Sequence, residues 1–264
     1  MPFAGPVQVD FLGGKGITFA PPFSPATIAG LQLWVASDSG ITLGTGNNIT
    51  QWADKSSNHN NLTHADGSAC PQNVAGGIAG KPIVQFNSAS SQFFNLVATI
   101  SSSTDRTEFV VWKKTAASQL ICLGPAGVSA GFSLLHNSTD HVATNDQVDT
   151  NATSAVQITG NSFFTSAITP HVSGTATVWM NGVSQAMAAP VAVADVSAYA
   201  RFGYGNGNVF SNGSIAEYVV YNNQLSTVNR QAVENYLAAR YFVTLESGFP
   251  LLLENGGVIE LEGA

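Results

Sequence analysis

Hydrophobic positions between residues 31 and 221 come in short runs rich in β-branched and aromatic residues, and Gly, Asn, Ser and Pro separate these runs. Such spacing is typical of antiparallel strands joined by turns. The strands predicted in this way cover residues 83–86, 107–113, 119–124, 132–135, 162–169, 175–180, 200–203 and 214–221. The pattern therefore predicts a β-sandwich.

Two local signals stand out within this pattern. Asn181-Gly182 follows an alternating run, and Asn-Gly supplies the two positive-φ positions of a type I′ turn, which predicts a tight hairpin. One helix is predicted over residues 227–242, with Ser226 as its N-cap. Its expected buried face consists of Val228, Ala232, Val233, Tyr236, Leu237 and Tyr241. A helix covering one side or end of the sandwich accounts for this face better than a recognition helix does.

Residues 1–26 hold five prolines and a glycine-rich run. Proline removes backbone donors and restricts the preceding residue, so this segment is predicted to be an extended arm. Its apolar residues Phe3, Phe11, Phe19 and Phe23 are candidate anchors to a partner. The alternative, which has equal weight, is an arm that folds onto its own domain.

Residues 244–264 contain an eight-residue repeat in which Leu245, Leu253 and Leu261 are each followed by Glu. The repeat predicts a small meander of three strands. Because so small a meander is marginal alone, it must pack on the main domain or on another subunit, and the second is favoured. Residues 27–243 then form one jelly-roll domain between an arm and a tail, and these three leucines are further candidate anchors.

The composition restricts the classes of partner. Only 9% of the 264 residues are charged, against roughly 25% in an ordinary soluble domain, and the net charge is −7. No basic stripe is present to attract phosphate backbones, so nucleic acid is not an expected partner. The longest apolar run, residues 186–194, is too short to span a bilayer, and the first residues lack a secretory signal. We expect a chain made in the cytoplasm, without membrane insertion, whose Cys70 and Cys122 are free thiols.

Several segments resemble one family. The sequences LQLWVASDS (31–39), ITQWADKSSNHNNL (49–62) and GKPIVQF (80–86) resemble the opening of laminin-G-like (LamG), concanavalin A-like domains. NGSIAEYVVYN (212–222), followed by the helix, resembles the closing strand and terminal helix of the same family. The resemblance implies an all-β, concanavalin A-like jelly-roll sandwich with one C-terminal helix, and Trp34 and Trp52 are expected in its core.

The C-terminal Leu-Glu repeats resemble tail segments of bacteriophage structural proteins. This resemblance implies a virion protein, namely a capsid decoration, head-fibre or tail subunit, that contacts other virion proteins and forms a homo-oligomer, with a trimer expected. Its outward-facing jelly roll would adhere to host surface glycans. A stand-alone carbohydrate-binding module is the alternative, and a glycoside hydrolase is less favoured.

Catalytic signatures are weak. A retaining glycosidase needs two carboxylates about 5 to 5.5 Å apart. Asp105 and Glu108 would face opposite ways on a strand, and Glu217 is the one acidic residue of its predicted strand. The sequence has no Gly-x-Ser-x-Gly elbow. We therefore expect no catalytic residues and no enzymatic activity.

Two loops offer candidate ligands. Asp54, Asn58 and Asn60 could supply oxygen donors to calcium, the one cofactor considered, although an Asx-rich turn is the favoured interpretation. The glycine-rich loop after Gly203 holds Tyr204, Asn206 and Asn208, which could contact a sugar. The alternative for that loop is a plain connection between two strands.

Overall fold

Strands account for more than half of the residues that the structure describes. The structure, a computed structural model, describes residues 8–9, 17–18, 23–101, 104–113, 120–125, 132–136, 142–145, 152–154, 162–169, 176–188, 198–205 and 209–242. The strands are β1 Gln8–Val9, β2 Ile17–Thr18, β3 Leu31–Ala36, β4 Ile41–Leu43, β5 Ile49–Trp52, β6 Leu62–Thr63, β7 Gln72–Ile78, β8 Lys81–Phe86, β9 Phe94–Ile100, β10 Arg106–Lys113, β11 Leu120–Ile121, β12 Leu123–Pro125, β13 Phe132–His136, β14 Val142–Asn145, β15 Ala152–Ser154, β16 Ser162–Thr169, β17 Thr177–Met180, β18 Val183–Gln185, β19 Met187–Ala188, β20 Tyr199–Phe202, β21 Tyr204–Gly205, β22 Val209–Phe210 and β23 Gly213–Tyr221. The helix is α1 Thr227–Tyr241, and two 3₁₀ turns are Pro25–Thr27 and Ser88–Ser90.

Two large sheets organise these strands. The eight-stranded sheet has the order β18-β17-β16-β10-β23-β8-β7, with β3 pairing along the second half of β23 on the same edge as β8. The six-stranded sheet has the order β12-β20-β9-β6-β5-β4. A five-stranded sheet (β11-β13-β14-β15-β19) and the pairs β1-β2 and β21-β22 complete the set. This arrangement confirms the predicted all-β sandwich with one C-terminal helix. The predicted tail, residues 244–264, lies outside the described residues.

A first hydrophobic core fills the space between the two large sheets. Strand alternation sends Val110 and Trp112 of β10 into it, opposite Phe94 and Phe202 of the six-stranded sheet. Trp52 is fully buried there, as predicted. This core is what holds the two sheets face to face.

A second core lies on the other face of the eight-stranded sheet. There Phe109 and Val219 pack against Val233 and Leu237 of α1. All nine residues of β23 are buried, because the first core covers one of its faces and the second core covers the other. In the described part of the chain, the six-stranded sheet, the eight-stranded sheet and the helix thus lie in three successive layers. No helix in the described part of the chain is both long and apolar enough to cross a membrane.

The predicted hairpin is present between β17 and β18. Asn181 and Gly182 have φ values of 48° and 77°, and Met180 pairs with Val183 across the turn. Both φ values are positive, as a type I′ turn requires. The prediction is confirmed.

Helix α1 begins where expected, but one part of its predicted buried face is wrong. The Ser226 Oγ accepts a hydrogen bond from the Asn229 backbone N–H at 3.3 Å, which confirms the N-cap. Val228, predicted to be buried, is 75% exposed. Arg230 and Glu234 take buried positions instead, because they form an ion pair and the Arg230 guanidinium lies 3.8 Å from the Trp179 ring centroid.

Glu217 joins the helix to the sheet. Its Oε1 accepts hydrogen bonds from Trp34 Nε1 at 2.6 Å and from the Tyr236 hydroxyl at 2.9 Å. Its Oε2 accepts from the Tyr241 hydroxyl at 2.8 Å and pairs with Arg240 Nε at 2.9 Å. Burial, followed by the Glu217 carboxylate, raises the pKa of both tyrosines. This buried carboxylate therefore has four donors, three of them from the last two turns of α1.

The N-terminal segment differs from a fully extended arm where it is described. Gln8 pairs with Thr18 and Val9 with Ile17, so the segment contains a short antiparallel hairpin. Phe23 was predicted to anchor a partner, but its ring centroid lies 6.1 Å from that of Tyr236 in the same domain. Phe23 packs on its own domain, because the second core offers an apolar surface there. Its role as an anchor to a partner stays a prediction. The predicted anchors Phe3, Phe11, Phe19, Leu245, Leu253 and Leu261 lie outside the described residues.

Candidate functional site

A polar row crosses the outer face of the six-stranded sheet. Cross-strand partners point to the same face of a sheet, and the register joins one position from each of the six strands. From β12 to β4 these positions are Gly124, Arg201, Asn95, Thr63, Gln51 and Thr42. We call these six residues the polar row.

The polar row faces away from the first core. The residues next to it in sequence, Phe202, Phe94 and Leu62, all point inward and are fully buried. Asn95 and Thr42 are exposed, and the other side chains of the row are partly exposed. With strands about 4.8 Å apart, the row is about 24 Å long.

An aromatic cluster borders the row on the side of β12 and β20. It consists of His64, Phe93, Tyr204 and Phe210, whose neighbouring ring centroids lie 5.0 to 6.1 Å apart. The Arg201 guanidinium lies 4.4 Å from the Tyr204 ring centroid and 5.4 Å from that of Phe93. Arg201 thus belongs to the polar row and also stacks on the aromatic cluster.

The hairpin of β21 and β22 places two of these rings. Tyr204 pairs with Phe210, and the backbone of Tyr204 crosses over β12 at Gly124. A Cβ atom at Gly124 would collide with the Tyr204 carbonyl oxygen. The glycine is therefore required for the hairpin to lie this close to the sheet.

The chemistry of this face suits a polar ligand with apolar patches. The Asn95 and Gln51 amides each offer two donors and an acceptor, and the Thr63 hydroxyl can donate or accept. The partly exposed rings of Phe93 and Phe210 add an apolar border. Hydroxyl-rich rings with apolar C–H faces, as in saccharides, match this combination.

The predicted calcium loop is held together by its own hydrogen bonds. Asp54 Oδ1 accepts from the Trp34 and Ser56 backbone N–H groups at 2.9 and 2.8 Å, and Oδ2 accepts from the Ser56 hydroxyl at 2.6 Å and the Asn60 N–H at 2.8 Å. The Asn58 amide donates to the Leu31 carbonyl at 2.7 Å. Each oxygen of the Asp54 carboxylate thus accepts two hydrogen bonds from this loop and from Trp34, as in an Asx-rich turn. Because the oxygens already have these partners, the loop does not fit a calcium site.

The same holds for clusters of metal ligands more generally. Within the described ranges, no group of three or more His, Cys, Asp or Glu side chains is placed to hold a metal ion. Metal binding by this chain stays a prediction.

The predicted sugar-contacting loop is only partly described. Tyr204 is 4% exposed, because Phe93, Phe210 and Arg201 surround its ring. Its position does not match the predicted stacking platform, and the ring instead supports Arg201. Asn206 and Asn208 lie outside the described residues.

The acidic residues weighed for catalysis are separated by the eight-stranded sheet. Glu108 accepts a hydrogen bond from the Tyr218 hydroxyl at 2.6 Å on the side of the first core, where Arg106 Nε lies 3.3 Å away. Glu217 faces α1 on the opposite side. Asp105 accepts from the Gln224 amide at 3.1 Å outside both cores.

The polar row and most of the aromatic cluster were not predicted from the sequence. One signal was available for Arg201, because it precedes a core phenylalanine in a strand that was predicted. The doublet Phe93-Phe94 also implies one ring inside and one outside. The alignment of Asn95, Thr63 and Gln51 depends on the register of three strands that were not predicted.

Sequence comparisons give no relative: no protein-family model and no curated protein matches the chain. Solved structures do match. The binding domain of Paraclostridial Mosquitocidal Protein 1 has a TM-score of 0.52 at 12% identity, over 79% of this chain and 52% of that chain. A GH54 α-L-arabinofuranosidase has a TM-score of 0.52 at 13% identity, over 74% of this chain and 51% of that chain. A Trypanosoma rangeli sialidase complexed with 2,3-difluorosialic acid has a TM-score of 0.46 at 10% identity, over 79% of this chain and 33% of that chain.

The neighbours correct one expectation and fix the fold. This chain spans about a third of the sialidase and about half of each of the other two proteins. Because the arabinofuranosidase is an enzyme, the fold gives no support to the expectation that the chain catalyses nothing, and that expectation is withdrawn. Fold alone does not assign function, which has to be argued from the site. What the likeness shows is the β-sandwich fold.

Proposed function

We propose that this chain is a glycan-binding domain and that the outer face of its six-stranded sheet binds the glycan. The observation that supports this best is the polar row, in which amide and hydroxyl side chains of successive strands share one exposed face beside partly exposed rings. A saccharide lying along the row would exchange hydrogen bonds with Asn95, Thr63 and Gln51. Its apolar C–H faces would rest on Phe93 and Phe210.

A glycan array followed by titration calorimetry tests this proposal. The double variant Asn95→Ala, Gln51→Ala should bind a glycan hit about 30-fold more weakly, since it loses two hydrogen bonds that contribute about 1 kcal/mol each. Ser184→Ala, an exposed change on β18 of the other sheet, is the matched control and should leave the affinity unchanged. Repeating the titration with a calcium chelator tests the calcium prediction. Absence of any array hit, or full affinity of the double variant, would refute the proposal.

A finer proposal is that this domain belongs to a bacteriophage virion protein, as the Leu-Glu repeats suggest. Its support is the location of the two ends of the main domain. Phe23 contacts Tyr236 of α1, and Phe242 follows Tyr241 at the end of the same helix. Residues 23 and 242, the two ends of the described main domain, therefore both lie at the helix layer, and the candidate glycan face is on the other side of the two sheets. Attachment through the flanks would leave that face pointing outward.

Cosedimentation with phage particles that lack the protein tests the virion role. Removing residues 1–22 or 243–264 leaves Phe23 and α1 in place and should abolish cosedimentation without changing glycan affinity. Sedimentation of the full-length chain alone also reports whether it forms the expected trimer. A chain that binds glycans but never cosediments would favour the stand-alone carbohydrate-binding module.

A further inference from the structure

Arg201 differs from the other three arginines of the chain. The other three each pair with a carboxylate. Arg106 pairs with Glu108, and Arg230 pairs with Glu234. Arg240 pairs with both Asp38 and Glu217. Among the residues that the structure describes, no carboxylate lies within salt-bridge distance of Arg201. Its contacts there are the two aromatic rings beneath it.

Stacking fixes the guanidinium without using its hydrogen bonds. A guanidinium that lies over an aromatic ring is held through its flat face, and its N–H groups point outward along its edge. At 4.4 Å from Tyr204 and 5.4 Å from Phe93, Arg201 is held by two rings at once. Because Tyr204 is buried and the hairpin is packed against Gly124, the support beneath Arg201 is itself fixed.

Arg201 is also the one charged residue of the polar row. The other positions are Gly124, Asn95, Thr63, Gln51 and Thr42, which are all neutral. The whole chain has a net charge of −7, so a local positive charge is what an anionic ligand needs in order to approach. A planar guanidinium edge matches a carboxylate, which can accept two parallel hydrogen bonds from it.

We propose that this face selects saccharides that carry a carboxylate, and that Arg201 binds that carboxylate. This inference rests on the proposed function, because Asn95 and Thr63 would bind the hydroxyls of the same ligand. Asn95 lies directly across from Arg201 in the register, so an acidic ring over Arg201 meets the Asn95 amide on the next strand. Neutral saccharides can use the rest of the row but lack the partner for Arg201.

The test uses the full chain and carboxylate-bearing saccharides of the hexuronate and sialate classes, each compared with its carboxyl-reduced, neutral form. The acidic form should bind about 30-fold more tightly, as expected for charge-assisted hydrogen bonds. Arg201→Gln should remove that difference, so that the acidic form binds no more tightly than the neutral form does. Arg201→Lys keeps the charge but loses the two-pronged geometry, so it should restore only part of the difference.

Controls separate this inference from the function on which it rests. Lys81→Gln removes a positive charge from the other sheet and should not change the preference for acidic saccharides. Thermal unfolding of each variant checks that the fold is intact. Equal binding of acidic and neutral forms, or an Arg201→Gln variant that keeps the preference, would overturn the inference and leave glycan binding standing. Failure of both forms to bind would overturn the proposed function as well.

Discussion

At the scale of single residues, Glu217 sets the chemistry beneath the helix. It brings Tyr236 and Tyr241 together with Arg240 around one buried carboxylate, and Arg240 also binds Asp38 at 2.5 and 2.7 Å. Neither phenol can ionise easily there, because burial and the nearby carboxylate both disfavour a second negative charge. Tyr221 has a raised pKa as well, from burial alone.

The raised pKa values of Tyr236 and Tyr241 predict that the folded chain loses stability at high pH. Their folded-state pKa values lie above the ordinary value of 10, so the folded chain keeps protons that the unfolded chain releases. The titration of these groups should therefore leave the free energy of unfolding independent of pH below about pH 10. Above that pH, the free energy of unfolding should fall as the pH rises. Urea unfolding measured at about pH 8 and about pH 11 checks this.

The double variant Tyr236→Phe, Tyr241→Phe should show a smaller fall between those two pH values than the wild type. Asn235→Ala, an exposed change on the same helix, should keep the wild-type fall. An identical pH dependence in all three proteins would contradict the assignment.

At the scale of elements, the crossing of β21 over β12 supports the candidate site. Gly124→Ala should push the β21-β22 hairpin away from the sheet, because the new methyl group would occupy the position of the Tyr204 carbonyl oxygen. Overpacking of this kind costs about 1–3 kcal/mol. Urea unfolding should show this loss, and the affinity for an acidic saccharide should fall because Arg201 loses its stacked support. Wild-type stability and affinity would show that the crossing tolerates a side chain.

Elements with strong local signals were predictable from the sequence. Strand β16, Ser162–Thr169, has the predicted bounds, and Ser226 caps α1 as expected. Val228 was assumed to be buried because it is apolar, and this was wrong. The helix instead buries Arg230 and Glu234 against the sheet, and their ion pair allows two charged side chains to lie there.

The candidate site depended on information that a single sequence does not hold. Strands β4, β5, β6 and β9 mix polar with apolar residues and were not predicted. Their shared outer face arises from pairings such as Thr63 with Asn95, and register between distant strands is set by the assembled sandwich. Tyr204 was expected at an open loop, and only the fold shows that its hairpin lies against Gly124.

At the scale of the whole molecule, the two thiols report on how the layers open. Cys122 lies in the first core, and burial, with Glu108 next, raises its pKa well above the ordinary value. Cys70 is also buried, but its Sγ contacts the Ala65 carbonyl in a loop at 3.0 Å. We expect a thiol reagent to modify Cys70 by local opening and Cys122 only when the sheets separate.

Mass spectrometry of samples quenched over time should therefore show one modification first and the second at the rate of global unfolding. Cys70→Ser should remove the early phase alone. Rapid modification of both thiols in the folded protein would contradict the closed packing of the first core.

Strand β23 has a consequence for how the chain folds during its synthesis. Its partner β3 is made early, and 183 residues separate Trp34 from the Glu217 side chain to which it donates. Since β23 contributes to both cores, a nascent chain that ends before residue 213 can complete neither of them. Such non-local pairing makes folding slow, and the domain can close only after β23 has left the ribosome. Until then β3 remains an unpaired edge, which makes the unfinished chain the form most exposed to aggregation.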